Sequence, residues 1–279
     1  MSLHLVGYSE RGGPHLVATG AEGVVDLPIA GPFAWRASAV RWCTGRWSDA
    51  GHVACPTMEV VGDEGQCLPC SGLEHPECVF EPLCQNNPAS CLCVGTFKGV
   101  EHVVYLAFHG ILPKVGMTQA RRVERRLREQ GADAYFVVQG GLDRPGARLL
   151  ERSIRLLHKV PEHRNHHETL PQLARPVAWP TILERAAAWR IRLAEHEPGL
   201  LATIEDYPVA QPLPARPRRV TSWGLHAGTW LGAKGSHLFY QEAPRAGKLA
   251  VGPSIAALKM RDLVGRRIEH SDARADEPA

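Results

Sequence analysis

At 279 residues and 44% apolar side chains, the chain is long enough to bury a sizeable core, as one large domain or two small ones. A net charge of +3 is too mild for composition alone to demand a nucleic-acid partner, so local clustering of charge decides that question. No apolar run of roughly 18 residues occurs, so no transmembrane helix is expected, and the opening MSLHLVGYSERGG lacks the basic leader and apolar core of a secretion signal.

A cytoplasmic location follows by default, and there the eight cysteines read as metal ligands rather than disulfide partners. Residues 1–40 alternate weakly, as in HLVATG and GVVDLPIA, and predict short strands separated by Gly/Pro turns. Residues 41–101 hold every cysteine. The sharpest signal is Cys67-Leu68-Pro69-Cys70, because two intervening residues let a tight turn aim both sulfurs at one tetrahedral Zn²⁺. Cys43 and Cys55 complete a first four-cysteine set; Cys78, Cys84, Cys91 and Cys93 form a second, with His75 and His102 as substitutes. One or two structural zinc ions are therefore expected. The surrounding DEGQCLPCSG and QNNPASCLC are too poor in large apolar side chains to fold without a metal. The plainer alternatives are buried free thiols or a redox pair at Cys67 and Cys70. A closed set of four thiolates leaves no open coordination position, so such a zinc is structural rather than catalytic.

HVVYLAFHGIL at 102–112 predicts a strand, with Val103, Tyr105 and Ala107 on one face and Val104, Leu106 and Phe108 on the other. Pro113 is expected to end it, and Lys114–Thr118 to return as a second strand of a hairpin. Residues 119–130 predict a helix with a narrow apolar stripe at Val123 and Leu127. Arg121, Arg122, Arg125, Arg126 and Arg128 fill much of its remainder, a pattern that is ordinarily a solvated face. Gly131 stops this helix, and 134–138 predicts a third strand. A helix follows over Ala147–His158, with Leu149, Leu150, Ile154 and Leu157 expected on its apolar side and Glu151 at the edge.

The His-rich stretch at 163–167 lacks the His-Glu-x-x-His spacing of a zinc enzyme. A further amphipathic helix is predicted over 181–195. Residues 208–219 carry four prolines and read as a linker or edge segment. Gly232-Ala233-Lys234-Gly235 lacks the glycine spacing and the Lys-Ser/Thr ending of a phosphate loop, so a strand pair is expected there. The last residues, EHSDARADEPA, read as a disordered tail.

The blocks HVVYLAF, KVGMT, RRLREQGADA and LLERSI resemble the DUF2797 family of uncharacterised prokaryotic proteins. Tyr105, Lys114, Val115, Gly116, Thr118, Arg126, Gln130, Gly131, Ala132 and Glu151 match its pattern; Leu127 stands where the pattern has Trp. The resemblance runs over about residues 40–255 and includes the Cys-x-x-Cys. That family in turn resembles the GIY-YIG nuclease superfamily. The resemblance implies an α+β chain: a cysteine-rich zinc-binding region, a small GIY-YIG-like three-stranded sheet with helices, and a β-rich C-terminal part. The expected division is an N-terminal β segment at 1–40, the zinc-binding region at 41–101, the GIY-YIG-like domain at 102–200, the β-rich segment at 201–268 and the tail at 269–279.

By the same resemblance, Tyr105, Arg126 and Glu151 stand at catalytic positions, and Lys114 replaces a second tyrosine. Glu151 would hold Mg²⁺ or Mn²⁺, Tyr105 and Lys114 would activate water, and Arg126 would neutralise the phosphoryl oxygens. Arg121, Arg122 and Arg125 would contact nucleic-acid phosphates. Two rivals stand beside this metal-dependent phosphodiesterase. One is a non-catalytic, zinc-containing nucleic-acid-binding protein; the other is a zinc-stabilised protein-interaction domain, marked by exposed apolar surface. Catalysis requires Tyr105 and Glu151 to converge within roughly 10 Å on a solvent-exposed face.

Overall fold

The computed structural model describes residues 2–10, 13–48, 51–62, 65–71, 99–174, 177–209, 212–244 and 253–271. In chain order the first elements are strands β1 (Ser2–Ser9), β2 (His15–Gly20), β3 (Gly23–Pro28), β4 (Pro32–Arg41), β5 (Arg46–Ser48) and β6 (Gly51–Val53), then helix α1 (Leu68–Ser71). Next come β7 (His102–His109), β8 (Leu112–Gln119), α2 (Val123–Gln130), β9 (Ala134–Leu142), α3 (Arg144–His158), α4 (His166–Ala174), α5 (Trp179–Arg192) and β10 (Ala202–Thr203). The chain continues through β11 (Arg218–Arg219), β12 (Gly224–Lys234), β13 (His237–Glu242), β14 (Ile255–Lys259), α6 (Met260–Leu263) and β15 (Arg266–His270). These elements form two compact units, one drawn from Met1–Glu74 and Pro208–Ala279, the other from His75–Tyr207. No helix among the described residues is long and apolar enough to cross a membrane.

The first unit is built on a nine-stranded sheet in the order β11-β14-β13-β12-β4-β15-β1-β2-β3. Period-two alternation turns Leu5, Leu16, Trp35, Leu238, Leu258 and Ile268 into one shared core. The two ends of the chain meet here: β15 pairs with β1 (Leu3↔Ile268) and with β4 (Ile268↔Ala37). The N-terminal β segment and the β-rich C-terminal segment are thus one sheet rather than two pieces. Glu269 and His270, expected in the tail, are strand residues, with Glu269 opposite Ser2. The rest of the tail, 272–279, lies outside the described residues. The proline-rich stretch is an edge segment: β11 pairs parallel with β14, and Leu213 is buried.

The second unit holds a four-stranded sheet, β10-β9-β7-β8. The expected three strands gain a short fourth, with Ala202 opposite Tyr135. Every residue of β7 is buried, because apolar clusters cover both of its faces. Val104, Leu106 and Phe108 pack with Phe136, Ile154 and Trp189; Val103, Tyr105 and Ala107 pack with Leu127 and Ala132. Pro113 does not break the hairpin. It sits near the start of β8, an edge strand, where a missing N–H disrupts no ladder.

Helix α2 follows a 3-10 turn over Ala120–Arg122 and buries Leu127. Gly131 closes it at φ 75°, returning N–H bonds to the last turn. Helix α3 starts before Ala147, because Asp143 accepts from the Gly146 N–H and Pro145 lies in the first turn. Its packed face is Ala147, Glu151 and Ile154, with Leu150 partly buried against the same core. Leu149 is 52% and Leu157 73% exposed.

Candidate functional site

Four of the cysteines come together in the first unit. Cys43 follows β4, Cys55 follows the β5–β6 hairpin, and Cys67 and Cys70 flank the first turn of α1. Their sulfurs all lie within 4.8 Å of one another, and Cys55 Sγ is 3.7 Å from Cys67 Sγ. Thiolates about 2.3 Å from a tetrahedral zinc lie about 3.8 Å apart, so the spacing suits that ion. Among the described residues only Met58 and Val61 pack beside the buried sulfurs, too little apolar surface to hold this region by itself.

Backbone geometry serves the sulfurs. Cys43 Sγ accepts N–H groups from Gly45 at 3.4 Å and Cys67 at 3.3 Å. Gly45 has φ 72°, and a Cβ there would lie 2.2 Å from the Val53 carbonyl oxygen. Burial pushes the thiol of Cys70 up, and its three cysteine neighbours push it further. Cys43 is raised for the same leading reason. Burial opposes ionisation of Cys55 too, but hydrogen bonds with Thr57 and from the Glu59 backbone outweigh it and bring the thiol to about 6. Four sulfurs this close cannot all ionise unless a cation joins them. The chain therefore has a four-cysteine cluster able to hold a structural metal such as Zn²⁺. Cys78, Cys84, Cys91 and Cys93, with the second zinc expected of them, lie outside the described residues, as does His75. His102 is buried on β7, with Nδ1 donating to the Val100 carbonyl.

In the second unit, Tyr105 lies opposite Gly116 and Ala107 opposite Lys114 across the β7–β8 hairpin. A Cβ on Gly116 would stand 2.5 Å from Tyr105 Oη, so the glycine makes room for this ring. Gln130 Nε2 donates to Tyr105 Oη at 3.2 Å. Burial raises the phenol of Tyr105; Gln130 and Arg126 pull it back and Glu151 adds to the rise. Burial also lowers Lys114 to about 8, Arg126 lowers it further, and Glu151 opposes both. Tyr105 and Lys114 are thus each within electrostatic reach of Arg126 and Glu151.

Their exposure differs sharply. Arg126 is open to solvent and pairs with Glu129 at 3.5 Å. Arg121, Arg122 and Arg125 are exposed as well, Arg125 pairing with Glu129 at 3.0 Å. Tyr105 is 1% exposed and Glu151 5%. Glu151 is ion-paired with Arg148, which also reaches Glu162 at 3.4 Å; Glu162 meets Arg155 at 2.9 Å. Arg148 was not singled out from the sequence, although its i,i+3 spacing from Glu151 was readable. Among the described residues, no group of three or more His, Cys, Asp or Glu donors converges apart from the four cysteines.

Residues 43–245 match a family model described as "Protein of unknown function (DUF2797)". No curated protein and no solved structure matches the chain.

Proposed function

The chain belongs to the DUF2797 family, with both the four-cysteine cluster and the Tyr105 cluster inside the matched residues, and from there we propose that it is a non-catalytic, zinc-stabilised nucleic-acid-binding protein. One observation carries the reading. Burial and then Arg126 disfavour the charged form of Lys114, while the nearby carboxylate, Glu151, is buried and paired with Arg148. Two cations held together in this way suit an anion such as a backbone phosphate. Exposed Arg121, Arg122 and Arg125 lie along the same turn and helix and extend the contact to neighbouring phosphates.

The β7-β8-α2-β9-α3 order supports the GIY-YIG-like reading of this unit. Proximity of Tyr105, Lys114, Arg126 and Glu151 also favours a phosphodiesterase as second reading. Against it stand the burial of Glu151 and its pairing with Arg148.

The test is fluorescence anisotropy of single-stranded DNA, duplex DNA and RNA across a salt series, with a cleavage assay in added Mg²⁺ or Mn²⁺. Binding that falls steeply with salt, weakens in Arg126→Ala and proceeds without cleavage is expected. Metal-dependent cleavage lost in Glu151→Gln would restore the phosphodiesterase. Absence of binding at low salt would shift weight to protein interaction, for which the exposed Leu149, Leu156 and Leu157 of α3 provide a surface.

A further inference from the structure

A second cationic site lies in the first unit, far from α2 in sequence. The ends of β4, β11, β14 and β15, together with α6, line a cleft of about 560 Å³. Four of its lining residues are cations: Arg41, Arg219, Lys259 and Arg266. Arg41 and Arg266 are register partners across the β4–β15 pair, and both are buried. Like charges placed directly opposite destabilise a sheet. Burial and the neighbouring Arg41 hold Arg266 below its ordinary range.

Both guanidinium groups are tied to backbone around the cleft. Arg41 donates to the carbonyls of Val264, Gly62 and Arg261. Arg266 donates to Ser222 Oγ and to the carbonyls of Asp262, Ser38 and Ala39. Asp262 is the sole carboxylate among the described lining residues, and it is shared between Arg219 at 3.3 Å and Lys259 at 3.6 Å. Among the described lining residues, cations thus outnumber carboxylates four to one. Its volume falls in the range of a small-ligand pocket. Trp223 also lines the cleft and is 52% exposed.

We propose that this cleft binds a nucleotide, its phosphate held by Lys259, Arg219 and the Arg41–Arg266 pair and its base stacked on Trp223. Aromatic stacking accepts any base, and the fixed guanidinium groups match a phosphate's geometry. The nucleotide can be free or part of a single strand; the chemistry at the cleft is the same. The proposal stands apart from the reading of the α2 arginines, since no residue is shared.

Titration calorimetry on the full-length, zinc-loaded protein tests it, with AMP, inorganic phosphate and a short oligo(dT) as separate probes. Arg41 and Arg266 brace the sheet, so the variants are made at exposed or half-exposed positions. Lys259→Ala and Arg219→Ala should each weaken AMP about tenfold, as expected for a lost charge-assisted contact. Trp223→Ala should weaken AMP by a similar factor and leave inorganic phosphate unchanged. Asp262→Asn should tighten both. If oligo(dT) binds and AMP does not, with the same sensitivity to Trp223→Ala and Lys259→Ala, the nucleotide is one within a strand. No saturable binding of AMP or oligo(dT) at millimolar concentration overturns the proposal. So does binding indifferent to Lys259→Ala and Trp223→Ala, including oligo(dT) binding that only Arg126→Ala removes.

Discussion

Replacing Lys114 with methionine should make the protein more stable and worse at binding nucleic acid. The substitution keeps the length of the side chain and removes its charge. Lys114 falls from its ordinary 10.5 to about 8 in the folded chain, chiefly through burial and then through Arg126. A shift of that size corresponds to about 3 kcal/mol against folding at neutral pH, and partial solvent contact at Lys114 brings the expected gain to about 1–3 kcal/mol. The sign follows from where each state holds its proton. The unfolded chain keeps it up to pH 10.5, while the folded chain releases it near 8. The penalty is therefore whole below pH 8, shrinks between the two values and vanishes above them. Hydrogen exchange of the β7 and β8 amides is the suitable readout, because it reports this sheet even if the two units open separately. Lys114→Met should protect these amides more strongly than wild type at pH 7, with the difference closing towards pH 10. Nucleic-acid affinity should fall at least about tenfold, the loss of one charge-assisted phosphate contact. Equal protection at pH 7, or a difference that does not change with pH, would refute the reasoning.

Other outcomes follow from the same geometry. Wild-type affinity for nucleic acid should decline as pH rises through about 8, where Lys114 loses its proton, and measured across that range the Lys114→Met variant should stay flat. Metal analysis under reducing, chelator-free conditions should find at least one zinc per chain, and Cys67→Ser should remove one equivalent and lower the melting temperature. Gly45→Ala should loosen the same site, since its Cβ meets the Val53 carbonyl; zinc release to a competing chelator measures this, and unchanged release would contradict it. Arg148→Met should destabilise by roughly 3–5 kcal/mol, because Glu151 loses its close partner inside the fold, whereas the Arg148→Met, Glu151→Met double variant should recover most of that loss in urea titrations.

The strands and turns of the second unit were legible because each of their signals is local. Tyr105 and Leu106 fall on opposite faces by alternation, and Gly131 ends α2 because its φ of 75° suits glycine. Four cysteines of one zinc set could be named because Cys67 and Cys70 are two residues apart and lack an apolar setting. What pairs over long distances was not legible. Alternation in β1 and β15 shows two strands, but nothing in either says that Leu3 lies opposite Ile268. The cationic cleft escaped for the same reason: Arg41 and Arg266 are adjacent only once β15 has entered the sheet beside β4. Pro113 misled because a proline's effect depends on whether its strand lies at an edge.

Helix α3 is where burial alone gives the wrong answer, and that error is informative. A helix that followed hydrophobicity would turn Leu149, Leu156 and Leu157 inward and leave Glu151 in water. Instead Glu151 occupies the packed face between Ala147 and Ile154, one turn from each, and the leucines are exposed. Burying an ion pair such as Glu151–Arg148 is rarely the more stable choice over apolar packing. Lowering Lys114 and raising Tyr105 by burial add to the electrostatic load at the same place. A sheet that needed only stability would not gather these groups around its central hairpin. Arrangements that work against stability in one small region mark a site under functional demand. On the proposed reading that demand is an anion, which would favour the charged form of Lys114 and offset its repulsion with Arg126 while Glu151 stays paired with Arg148.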